Sequence, residues 1–272
     1  MSLPQPRAGG AALVTGASAG IGAAIATELA KRKHNLVLVA RRKQRLDEIA
    51  HELSSRHGVR VETLGSDLSK AASRARLPGR IDSLNLQVDV LINNAGFATG
   101  GPFHESDTER ELEQLRVLVE APVHLTSALL PGMVERKRGA ILNVASTAGM
   151  QPLPYSTGYS AAKAYVLTFS EALHYEVKGQ GVTITALAPG PVATEFWGIA
   201  GWQVATGQSF DQAVPRPAMI TAEQAARAGV EGLEAGRRVV VPALPVRLAM
   251  ETSRYVPHIV KLPLIERVMR RR

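Results

Sequence analysis

Seven short, mostly apolar runs separated by helix-length segments limit this chain to one class of fold. The runs are Ala11 to Val14, Leu36 to Ala40, Val61 to Leu64, Val88 to Ile92, Ala140 to Val144, Thr183 to Leu187 and Val239 to Val241. Runs with little polar alternation suit strands buried on both faces. Between them, helices are expected after the turn at Thr15 to about Lys33, from about Lys43 to His57, from about Thr108 to Arg136, and from near Tyr159 to about Lys178. Strands alternating with helices, mostly without hairpin turns, imply an α/β fold with a parallel sheet covered on both sides. Ligands of such a sheet bind beyond the carboxyl ends of its strands, near the point where strand order reverses.

At 272 residues and 45% hydrophobic content, the chain suffices for one large core. It contains no cysteine, which excludes disulfides, thiolate metal sites and a cysteine nucleophile and suits a cytoplasmic, reducing setting. Met1 to Gly10 has no apolar core of signal-peptide type, and the small-residue stretch from Ala8 to Ala30 is broken by five glycines and Glu28. No candidate metal site emerges. The net charge of +8 is uneven: residues 243–272 hold seven Lys or Arg against two acids, leaving +3 for the remainder. Basic residues are not interleaved with aromatics as in single-strand binders, so nucleic acid is not expected as a partner. Residues 1–242 therefore read as one domain and 243–272 as a basic amphipathic extension. Pro257 and Pro263 divide that extension into two short helices that could cap a pocket, pair subunits or rest on an anionic membrane.

Chemistry concentrates at three places just after strands. The run Thr15-Gly16-Ala17-Ser18-Ala19-Gly20-Ile21-Gly22 lies between a strand and a helix. Its glycines let the backbone turn tightly and approach a pyrophosphate at the helix N-terminus. Tyr159 and Lys163 stand four apart and so share one helix face, where an ammonium beside a phenol favours its phenolate. Ser146, thirteen residues upstream of Tyr159, adds a neutral donor for an oxygen on which charge changes.

The order of these pieces, with Asn93-Asn94-Ala95-Gly96 and Pro189-Gly190 between and after them, resembles the short-chain dehydrogenase/reductase family from about Ala11 to Val241. The glycine spacing departs from the general dinucleotide fingerprint and matches the family's TGxxxGxG form. The resemblance implies a single Rossmann-type doubly wound sheet and hydride transfer between a nicotinamide and a carbonyl or alcohol. It also implies a homodimer or homotetramer. In that scheme Tyr159 is the proton donor, Ser146 donates to the substrate oxygen, and Lys163 holds the nicotinamide ribose and lowers the tyrosine pKa. Cofactor contacts are expected at Gly16, Ser18, Gly20, Ile21 and Gly22. The resemblance adds Asp67 at the adenine, Asn93 on the adenosine side, and Pro189, Gly190 and Thr194 at the nicotinamide. Ser156, Ser160, His51 and His174 are expected to be structural.

The second strand ends in Ala40-Arg41-Arg42, where an NAD site would place an acid for the ribose hydroxyls. Arginine forks suit a 2′-phosphate, so NADP(H) is the expected cofactor, with Arg41 its stronger contact, Arg42 beside it, and carbonyl reduction the expected direction. The segment Glu195 to Met219 contains Phe196, Trp197, Ile199, Trp202 and Phe210. It reads either as a lid over a lipophilic substrate or as cover for the core or a subunit contact.

One residue departs from the family pattern. Leu118 stands where the family's Asn is expected to kink its helix, so that a main-chain carbonyl holds a water beside the lysine; without it, proton resupply should suffer. That substitution motivates a rival reading, a dinucleotide-binding sensor without turnover. A membrane-peripheral scaffold, resting on the basic tail alone, is a third.

Overall fold

The computed structural model describes residues 3–196, 219–253 and 255–269. Seven parallel strands form the sheet: β1 (Gly10–Thr15), β2 (Asn35–Ala40), β3 (Val61–Gly65), β4 (Gln87–Asn93), β5 (Gly139–Val144), β6 (Val182–Leu187) and, further along the chain, β9 (Val239–Val240). Their spatial order is β3-β2-β1-β4-β5-β6-β9, so the reversal falls between β1 and β4. This is the doubly wound architecture the apolar runs imply.

Side chains alternate across each strand, and the sheet therefore has a core on each face. Ala12, Val14, Leu36, Leu38, Val90 and Ile92 pack with α1 (Gly20–Lys31), α2 (Lys43–His57) and α7 (Ala222–Glu234). Leu13, Val37, Val39, Leu91 and Ile141 face the other way, against α3 (Ala71–Asp82) and α5 (Ala121–Glu135). The helix α6 (Thr157–Glu176) lies on this second side, along β5 and β6. A two-stranded ribbon, β7 (Val192–Ala193) with β8 (Ile220–Thr221), flanks the segment expected to be a lid. Of that segment only Glu195, Phe196 and Met219 lie among the described residues; Trp197, Ile199, Trp202 and Phe210 fall outside them.

The helix from Thr108 to Glu135 corrects one expectation. It comprises α4 (Thr108–Leu115), a π-helical turn at Arg116–Glu120 and then α5, so the distortion expected to vanish with the Asn is present at Leu118. Pro122 supplies the cause. It has no N–H and cannot give the ordinary helical bond to the carbonyl of Leu118, four residues before it. The Ala121 amide instead reaches back five residues to the carbonyl of Arg116. By length and composition this stretch is the one helix among the described residues able to cross a membrane. Here it packs on α3 and α6.

The extension forms two helices, α8 (Leu244–Ser253) and α9 (His258–Met269). Pro263 lies inside α9 rather than opening a helix of its own. Both helices are anchored to the domain. Ser253 Oγ donates to Gln151 Oε1 at 3.2 Å, and the Tyr155 hydroxyl donates to Glu266 Oε1 at 3.1 Å. Tyr155 has a φ of 63°, a left-handed conformation that costs a non-glycine residue about 1–2 kcal/mol.

Candidate active site

The crevice at the β1/β4 reversal is built by two loops fastened together. Asn94 Nδ2 donates to the Thr15 carbonyl at 2.9 Å, and the Asn94 and Ala95 amides donate to Thr15 Oγ1 at 2.9 and 3.1 Å. Gly16 and Gly20 take left-handed φ values of 65° and 55°. A Cβ on Gly22 would overlap Asn94 Nδ2 and the Gly16 carbonyl, so this glycine lets the two loops close on each other. Ala19 at the N-cap of α1 offers no side-chain cap. The amides of the helix's first turn are thus left to face an anion.

A cleft of about 610 Å³ runs from this loop to the end of β5. Gly16, Ser18, Gly20, Ile21, Arg41, Arg42, Asp67, Ser146, Tyr159, Lys163, Pro189, Gly190 and Thr194 all line it. Two expected cofactor residues do not. Gly22 sits behind the loop as described. Asn93 is buried in the sheet, its Nδ2 donating to Asn143 Oδ1 at 2.8 Å and Thr126 Oγ1 at 3.2 Å. Strand alternation explains the difference: consecutive residues point to opposite sides, and Asn94, one residue on, lines the cleft instead.

The two strand-end arginines have different partners. Arg42 Nε donates to Ser18 Oγ at 3.2 Å, which joins the end of β2 to the glycine loop, and Arg42 also pairs with Glu195 at 3.1 Å. Arg41 points to Glu113, 3.4 Å away. Asp67 is held below the usual carboxylate range because bonds from Ser69, with Arg41 and Lys70 nearby, outweigh the opposing effect of burial.

Ser146, Tyr159 and Lys163 converge where β5 ends. Ser146 lies two residues past the strand and bonds the Tyr159 phenol. Tyr159 occupies the first turn of α6 and Lys163 the next. The Lys163 ammonium donates to the carbonyl of Val144 at 2.7 Å and lies 5.7 Å from the centre of the Tyr159 ring. In this cleft burial acts on both groups. Burial pushes Tyr159 up to about 12, opposed only by the Ser146 bond, and pushes Lys163 down to about 8. Desolvation opposes both charged forms.

One residue here, Gly149, escaped the sequence reading, and two that it named, Leu118 and Phe196, have further contacts. Gly149 lies where any Cβ would overlap the backbone of Lys163 and Ala164, so it permits the turn after Ser146 to press on α6. Leu118 is buried against Ala98, Tyr159 and Ala162 and takes the space in front of Gly96. Phe196 sets its ring 5.6 Å from that of Tyr159. His174, expected to be structural, has its Nδ1 2.7 Å from the carbonyl oxygen of Ile184.

Residues 10–201 match the family model described as short chain dehydrogenase. The very-long-chain 3-oxoacyl-CoA reductase of Anas platyrhynchos is 36% identical over 219 residues, 77% of this chain. The match spans 66% of that relative's length, just under two thirds. Among solved structures, a short-chain dehydrogenase from Sphingobium yanoikuyae in complex with NADPH is 34% identical, with a TM-score of 0.78 and coverage of 90% of this chain and 93% of that one. A bulky-bulky ketone specific alcohol dehydrogenase from Comamonas testosteroni is 26% identical, with a TM-score of 0.74 and coverage of 94% and 100%.

Proposed function

The chain belongs to the short-chain dehydrogenase family, and from that premise we propose that it is an NADPH-dependent reductase of a lipophilic carbonyl compound acting through Ser146, Tyr159 and Lys163. The observation that carries this reading is the meeting of those three side chains in one cleft with an anion-ready helix terminus and two arginines. The cradle fits the cofactor: left-handed glycines, open amides of α1, and Arg42 on Ser18, which together suit a pyrophosphate and a 2′-phosphate. The NADPH-bound relative supports the same choice. Bound there, NADPH supplies the hydride.

The chain's own part begins with the substrate oxygen between the hydroxyls of Ser146 and Tyr159. Because Tyr159 is pushed up to about 12, it holds its proton at neutral pH and is in the form needed to donate as negative charge builds on that oxygen. Ser146 adds a second hydrogen bond and keeps no proton debt of its own. Lys163, at about 8, is mostly charged at neutral pH, and the carbonyl of Val144 fixes its position. Pro189, Gly190 and Thr194 would border the nicotinamide end, Asp67 the adenine end.

Phe97, Leu118, Leu153, Val246 and Met250 give the substrate end an apolar wall. That wall and the names of the relatives favour an acyl-chain or bulky ketone over a small polar sugar. Pairing of subunits belongs to the same reading, supported by the exposed rings of Tyr165 and Tyr175 on α6. The sensor reading loses its ground, since Leu118 keeps the helix distortion that it was expected to remove. A screen of aliphatic and aromatic ketones and 3-oxoacyl thioesters, following NADPH consumption, tests the proposal. Tight NADPH binding with no consumption across the panel would overturn it.

A further inference from the structure

We propose that α8 and α9 form a platform that docks on an anionic lipid surface, with the mouth of the cleft beside it. Each helix has two differently used faces. On α8, Val246, Ala249 and Met250 line the cleft, while Leu244 and Leu248, four residues apart, are exposed. On α9, Lys261 and Met269 are buried, and Val260, Leu264 and Val268 form an exposed stripe at intervals of four. Ile259 beside that stripe is 85% exposed, and Tyr255 in the connection 82%. A helix that needed only to cover the cleft would carry polar residues on these outer positions.

The platform is held in place. Lys261 Nζ donates to the carbonyl of Ser253 at 3.2 Å and so ties α9 to the end of α8. The Gln151 and Tyr155 bonds fasten the pair to the loop between Ser146 and Tyr159. The two helices are thus fastened to the loop of the candidate site, with their apolar outer face exposed.

Charge selects the occupant. Residues 243–272 carry seven basic and two acidic side chains. Glu251 is paired by Arg247 at 2.9 Å, and Glu266 accepts from Tyr155. Beyond Arg247 and the buried Lys261, the basic residues are Arg254 between the helices, Arg267 beside the stripe, and Arg270, Arg271 and Arg272, which follow it in the sequence. An apolar face in a segment of net positive charge suits the boundary between anionic headgroups and acyl chains. A second copy suits it poorly, because two-fold pairing would set two strongly basic surfaces against each other. Delivery of a lipid-soluble carbonyl from that surface past Ala249 into the cleft rests on the reductase reading; docking itself does not.

Cosedimentation of the full-length protein with vesicles tests the docking without any turnover. Binding is expected to phosphatidylcholine vesicles containing phosphatidylglycerol, and to fall at least about tenfold with phosphatidylcholine alone or in high salt. The pair Ile259→Glu and Leu264→Glu, both on exposed positions, should lower vesicle binding at least about tenfold while leaving NADPH affinity and the circular dichroism spectrum unchanged. Replacing Arg270, Arg271 and Arg272 by Ser should reduce the preference for anionic vesicles. Full-length protein that stays in the supernatant with anionic vesicles would overturn the proposal. So would binding untouched by the glutamates, or a dimer in sedimentation velocity that the glutamates dissociate, which would assign the face to a second copy.

Discussion

Arg42 joins two segments of the cleft wall, with its guanidinium on Ser18 of the glycine loop and 3.1 Å from Glu195, the residue that follows Thr194. In NADPH a 2′-phosphate would compete with that carboxylate for the same fork. Glu195→Gln removes the competitor and is expected to tighten NADPH a few-fold while leaving NADH unchanged. Arg42→Ala should weaken NADPH by roughly tenfold and spare NADH, the loss expected of one charge-assisted bond. Arg41→Ala, its guanidinium engaged by Glu113, should do less. Fluorescence titrations of the two cofactors check the ranking, and equal loss of both cofactors in Arg42→Ala would count against it.

Tyr159→Phe should keep NADPH binding and lower turnover by at least ~10²-fold, the scale of general acid catalysis. The ring packing on Leu118 and Phe196 is preserved in that variant, so the folded structure should persist. Steady-state kinetics on the best ketone of the screen provides the measurement.

Lys163 works against the stability of the protein that contains it. Its folded pKa of about 8 lies below the ordinary 10.5, so keeping it charged at neutral pH opposes folding. The shift corresponds to roughly 3 kcal/mol. Between these two pH values the unfolded chain binds more protons, and stability should rise as pH increases. Above pH 10 the balance reverses: Tyr159, at about 12 when folded, then holds the proton that the unfolded chain releases. Lys163→Met should therefore abolish turnover yet stabilise the cofactor-free protein at pH 7 by about 1–2 kcal/mol, allowing for the lost bond to Val144. Thermal unfolding should show a midpoint a few degrees higher, and the rise between pH 8 and 10 should be missing.

Pro122→Ala restores the amide that Leu118's carbonyl lacks. The helix should then straighten through Arg116–Glu120, moving Leu118 off Tyr159 and Gly96. Slower steady-state turnover is expected, with the single-turnover hydride step less affected. Leu118→Asn tests the other half of the argument. With the distortion already present it should gain no turnover, and an amide placed among Ala98, Tyr159 and Ala162 should cost about 1–3 kcal/mol. A marked increase in turnover by folded Leu118→Asn would restore the role first assigned to asparagine.

The parallel sheet was legible because strands buried on both faces need continuous apolar runs, and every such run became a strand. The helix α3 was not, since Ala71–Asp82 includes Pro78 and Gly79 and few apolar residues, and its helicity rests on burying Leu77 and Ile81. Motif residues were legible wherever a backbone shape or a charge was required, as at Gly16, Gly20 and Arg42. That Asn93 turns into the sheet and Asn94 into the cleft was not legible, because a motif gives order along the chain but not the side of the strand. The role of Pro122 was open to view in the sequence, since a proline four residues past a suspected kink removes one specific donor. Burial controls Tyr159 and Lys163, and burial is a property of the packed cleft that spacing cannot report.

The crevice also sets the order in which the molecule can assemble. Ala11 pairs with Asn35 in one direction and with Val88 in the other, so the first contact closes a short β-α-β unit and the second must span two further strands and helices. The longer closure is entropically dearer and slower. The cofactor's seat thus exists only after the two halves of the sheet have joined. A ligand that recognises only the joined state slows unfolding and leaves the folding rate nearly unchanged.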